Sequence, residues 1–148
     1  MKTVRWTVLT LAGALLIAAC STPIPRIRTT GSLRVQSVQP DVTAGCRVRA
    51  GDWMVLKGNA FGTADDWTNG PNRVLFPPEP GLQPAAVELT RPADPATLMF
   101  RVPAGAVSGT LRLHVEGVGD AEIAVTIASD AGASNAVPGC ELPAPPAP

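Results

Sequence analysis

Two stretches decide the fold: Leu111-Arg-Leu-His-Val-Glu116 and, beyond Gly117-Val-Gly-Asp120, Ala121-Glu-Ile-Ala-Val-Thr-Ile127. In the first, Leu111, Leu113 and Val115 alternate with Arg112, His114 and Glu116; in the second, Ile123, Val125 and Ile127 alternate with Ala124 and Thr126. A period of two sends successive side chains to opposite faces of a strand, so each run has one apolar face and one wet face. Working toward the N-terminus, Leu98, Phe100 and Val102 alternate with Met99 and Arg101, and Val87 and Leu89 flank Glu88. Val74 and Phe76 enclose Leu75, Met54 and Leu56 oppose Trp53, Val55 and Lys57, and Val35 to Val38 leads into Pro40. Seven alternating segments divided by Gly, Pro, Asn and Asp clusters predict an all-β antiparallel sandwich of about seven strands.

Composition agrees. The 148 residues suit one domain. Sixteen Pro and fourteen Gly break the chain too often for a helical bundle or coiled coil. Twelve basic residues balance twelve acidic ones without a basic block, which argues against nucleic acid as a partner. One His, no Tyr and three Met leave most catalytic and metal chemistry short of parts.

The ends read differently from the body. Lys2 and Arg5 precede an uncharged run from Trp6 to Ala19, too short to span a bilayer and patterned as a signal peptide over residues 1–19. Its close, Ile17-Ala18-Ala19-Cys20, resembles the bacterial lipobox. That resemblance implies cleavage before Cys20, a diacylglycerol on its thiol, and an acylated amine. Ser21 differs from the Asp that resembles an inner-membrane retention signal, so the resemblance implies the outer membrane in a diderm cell. Loss of Lys2 and Arg5 with the signal leaves ten basic residues against twelve acidic ones. Residues 20–32, polar and holding Pro23, Pro25, Arg26 and Arg28, read as a flexible tether, and 33–128 as the sandwich. Residues 129–148 read as a tail pinned by Cys140, with Pro143 to Pro148 extended and solvated.

With Cys20 assigned to lipid, Cys46 and Cys140 remain as an even pair in an exported chain, and a disulfide is the expected use. Two thiols alone do not close a zinc site, which takes four ligands.

Three stretches resemble the IPT/TIG family of immunoglobulin-like modules: Val35-Gln-Ser-Val-Gln-Pro40, Gly51-Asp-Trp-Met-Val-Leu-Lys-Gly-Asn-Ala-Phe-Gly62, and Val102-Pro-Ala-Gly-Ala-Val-Ser-Gly109 leading into Leu111. The resemblance spans residues 33 to 128 and implies an interaction or spacer module without common catalytic residues. The stretches Thr63 to Pro71 and Pro77 to Pro84 are longer than a minimal module needs, and the Cys46–Cys140 pair is an addition to the family pattern.

Several side chains compete for a functional role. Trp53, opposite Met54 and Leu56, could seat a partner or stack on a sugar, or could cover the domain's own edge. Trp67 has the same two uses, with packing beside its turn the favoured one. Asp65, Asp66 and Asn69 are an oxygen-rich loop, but three side chains fall short of the six to eight oxygens of a calcium site. His114 reads as an outward, solvated or ion-paired residue, and copper binding with Met99 has little support. Five arginines at 26, 28, 34, 47 and 49 against Asp41 read as a solvated tether, the favoured use, or as a contact for anionic envelope polymer or lipid head groups. No nucleophile, base and acid form a legible set. The expectation is therefore a non-enzyme without cofactor or metal. It is anchored to the membrane and meets an envelope protein partner, or alternatively binds a carbohydrate or small ligand.

Overall fold

Alternation in the sequence becomes two facing sheets. The computed structural model of the protein describes residues 27–84, 87, 89, 94–128 and 139–145. Among the described residues, eight strands run in chain order: β1 (Ile27–Thr29), β2 (Arg34–Gln39), β3 (Arg47–Val48), β4 (Trp53–Asn59), β5 (Arg73–Leu75), β6 (Thr97–Arg101), β7 (Gly109–Val115) and β8 (Gly119–Ile127). One sheet has the order β1-β8-β7-β5, with β3 joining β8 in parallel; the other has the order β2-β4-β6. All other strand pairs are antiparallel. The architecture is an all-β, immunoglobulin-like sandwich.

The apolar parity of each strand faces inward. Leu111, Leu113, Ala121, Ile123 and Val74 from one sheet are buried against Met54, Leu56, Leu98 and Phe100 from the other. Phe76, just after β5, meets Phe100 of β6 edge to face, with ring centroids 6.1 Å apart, and so joins the two layers. Phe61 is fully buried beyond the end of β4. It reaches that position because Gly58 has no side chain: a Cβ there would strike the Arg34 carbonyl oxygen and lie 2.8 Å from Cζ of the Phe61 ring.

Of the expected segment around Val87 and Leu89, two pairings lie among the described residues. The Val87 N–H donates to the Val74 carbonyl (3.0 Å), and Leu89 forms an antiparallel bridge with Phe100 of β6. Glu88 lies outside the described residues.

The structure corrects three expectations at the margins. Residues 20–32 are not a tether throughout: Ile27–Thr29 pairs with Ala121–Ile123, and the Thr30 and Ser32 N–H groups donate to the carbonyls of Asp120 and Val118. Ile27–Thr29 thus belongs to the sandwich, because the free edge of β8 accepts even a three-residue strand. Thr63 to Pro71 is not all loop, since Ala64–Thr68 forms a one-turn helix, α1. Finally, Pro143 is buried rather than solvated. The Cys46–Cys140 bridge, with Cα atoms 5.4 Å apart, holds its neighbourhood against the body. A proline ring tolerates burial there because it has no N–H to satisfy. Pro146 to Pro148, like residues 129–138, lie outside the described residues.

Candidate interaction surface

Alternation places Trp53, Val55 and Lys57 on the outer face of the three-stranded sheet, opposite the buried Met54 and Leu56. Register then assembles three rows across that face. Trp53 lies beside Arg101, Val55 sits between Gln39 and Met99, and Lys57 sits between Ser37 and Thr97. The Arg101 guanidinium carbon is 4.7 Å from the centroid of the Trp53 ring, within cation–π range. Trp53, Val55 and Met99 are each half-buried, Lys57 and Arg101 exposed. The face therefore has an apolar middle with cationic groups beside it.

The other outer face has a different character. Arg112 of β7 ion-pairs with Glu122 of β8 at 3.8 Å, and Arg28 lies on the far side of Glu122 in register. His114 sits between two carboxylates, its Nδ1 2.7 Å from Asp120 and its Nε2 3.3 Å from Glu116, with Arg73 opposite on β5. Hydrogen bonding to Asp120, and secondarily to Glu116, raises the His114 pKa above its usual value. A raised folded value means the protonated ring stabilises the fold below about pH 6.5, the ordinary histidine value, and ceases to do so as the pH rises through the higher folded value. With 44% of its side chain exposed, that contribution stays below about 1 kcal/mol. His114→Gln should therefore lower urea stability slightly at pH 5.5 and leave it unchanged at pH 9; an equal loss at both values would show that charge plays no part.

The acidic loop is used by the fold. At the start of α1 the Asp66 carboxylate accepts from the Thr63 N–H (2.6 Å) and the Thr63 hydroxyl (2.8 Å), a reciprocal cap of the first turn. Those bonds, the backbone one foremost, hold the Asp66 pKa below the ordinary carboxylate value. Asn69 Nδ2 donates to Asp65 at 2.6 Å. Trp67 turns inward from α1, packs against the core, and donates its indole N–H to the Phe61 carbonyl at 2.7 Å. Trp67 thus has the packing use that the sequence favoured, with its polar end spent on seating α1.

Among the described residues, no group of three or more His, Cys, Asp or Glu side chains is placed to hold a metal ion, and no helix is long and apolar enough to cross a membrane. Cys20 lies outside the described residues, as do residues 1–19, the expected signal segment. Cys46 and Cys140 form the expected disulfide.

Two residues went unmarked in the sequence. Arg101 is one, because the register that sets it on Trp53 is not written in either strand. The other is Asn72, buried before β5, whose Oδ1 accepts from the Glu116 N–H at 2.9 Å. It ties the entry to β5 to the turn between β7 and β8, and between Pro71 and Arg73 it resembles any other turn residue. Searches against protein-family models, curated proteins and solved structures find no match for this chain.

Proposed function

We propose that this is a non-catalytic, lipid-anchored protein of the cell envelope whose IPT/TIG-like module serves protein–protein interaction or scaffolding. The observation carrying the reading is how the reactive-looking side chains are employed. Asp65, Asp66, Asn69, Trp67, Asn72 and His114 all make hydrogen bonds within the sandwich or its turns. What is left for recognition is an outer sheet face with an aromatic–cation pair. Fold alone does not assign function, so the reading rests on that surface and on the lipobox-like Ile17-Ala18-Ala19-Cys20. Ser21 in place of Asp favours the outer membrane of a diderm cell.

Carbohydrate binding, the alternative use of Trp53, has less support. The Arg101 guanidinium already lies over the indole that a sugar would need for stacking.

Metabolic labelling with a clickable fatty acid tests the anchor. The wild-type protein should carry label and Cys20→Ala should carry none; persistent labelling of the variant would sink the assignment.

A further inference from the structure

We propose that the outer face of the three-stranded sheet, centred on Trp53, Val55, Lys57, Met99 and Arg101, docks an acidic segment of a protein partner. The inference rests on the reading of this domain as an interaction module, and adds to it the face and the partner's charge.

The argument begins with charge. Strands β2, β4 and β6 contain Arg34, Lys57 and Arg101 and no Asp or Glu. Three carboxylates flank these strands and are hydrogen-bonded: Asp52 accepts from the Arg49 N–H and Asp94 from the Ala96 N–H, each at 2.8 Å, and Asp41 accepts from the Thr43 and Ala44 N–H groups. Arg34 is also engaged, donating to the carbonyls of Gly31 and Leu33. Lys57 and Arg101 make no ion pair among the described residues. On the opposite sheet Arg28 and Arg112 border Glu122, and His114 borders Asp120 and Glu116. One outer face pairs charges across its strands, whereas the strands of the other carry cations without carboxylates.

Chemistry then selects the kind of anion. A flat sheet face with a half-buried Trp, Val and Met between cations matches the apolar centre and polar rim of a protein interface, where Trp and Arg dominate affinity. A membrane surface is a poorer match. Each basic residue adds only about fivefold to binding at an anionic bilayer, and stable attachment takes clusters of four or more. A carboxylate can instead take the planar fork of Arg101 while Lys57 meets a second acid.

The test places a photo-crosslinking amino acid at Thr97, on this face, or at Arg112, on the other, in the full chain within the cells that make it. Expected is a discrete protein adduct from Thr97 whose crosslinked peptide, mapped by mass spectrometry, carries Asp or Glu. Its yield should fall about tenfold in Lys57→Glu, an exposed change compatible with folding, and in Arg101→Gln. A Thr97 adduct with lipid, one with a peptide devoid of carboxylates, or one indifferent to Lys57→Glu would overturn the proposal. Adducts from Arg112 alone would overturn the choice of face while leaving the interaction module standing. Absence of protein adducts from both positions would overturn the module reading together with the inference.

Discussion

Replacing both Cys46 and Cys140 with Ser should destabilise the domain by up to about 4.7 kcal/mol, the chain-entropy value for a closed loop near 100 residues. The bridge spans 94 positions, so in the unfolded chain it removes a large share of the accessible conformations. Its loss also exposes two sites that are 2% and 3% accessible in the folded domain. Small domains have only about 5–15 kcal/mol in total, so at its full value this one link equals about a third of the stability of a strong member of that range and nearly all of that of a weak one. Urea unfolding of the oxidised wild type, the reduced wild type and the double-Ser variant measures it. The last two should coincide, both well below the first. A difference under about 1 kcal/mol would show that the sandwich holds Cys46 and Cys140 together without the bond.

Phe100→Ala should cost about 3–5 kcal/mol, the range for removing a large aromatic from a packed core. Phe100 has no solvent exposure. It lies opposite Met54 on β4, is bridged by Leu89 on its other side, and meets the Phe76 ring at 73°. Truncation therefore opens a cavity at the point where the two sheets and the bridging segment converge. Retaining bulk should recover much of the loss, so Phe100→Leu is expected between wild type and Phe100→Ala. Thr126→Ala, on the exposed parity of β8, should stay within about 0.5 kcal/mol of wild type. Chemical denaturation with a common slope separates the three. An Ala variant no less stable than Phe100→Leu would mean that the core closes over the gap.

Much of this architecture is legible in the sequence because a sheet with one wet face writes its period directly. Six of the alternating segments are strands, and the face carrying Trp53 follows from parity alone. What escapes notice is short. Ile27–Thr29 and Arg47–Val48 are too brief to show a period, and their pairing depends on an edge of β8 formed a hundred or so residues later in one case. Helix α1 has a single turn, so hydrophobic periodicity cannot reveal it. Thr63 followed three residues later by Asp66 is the local signal that could have, through reciprocal capping. Pairwise geometry is likewise hidden: Arg101 over Trp53, and Asn72 beneath the turn at Glu116, depend on register between distant segments. The disulfide is legible for a different reason: once the lipobox resemblance assigns Cys20 to lipid, Cys46 and Cys140 leave one pairing.

The early start of the first strand sets a length scale. Between Cys20 and Ile27 lie only Ser21 to Arg26, and seven chain steps cannot exceed about 25 Å even when fully drawn out. Nine-residue β8 alone is about 30 Å long at strand rise. With the proposed acyl chains on Cys20, the sandwich is therefore leashed more tightly than its own longest dimension. So anchored, it would stay within a thin layer over the bilayer. A partner confined to the same layer would meet it at high effective concentration, which lowers the affinity that the proposed patch around Trp53 and Arg101 needs for lasting contact.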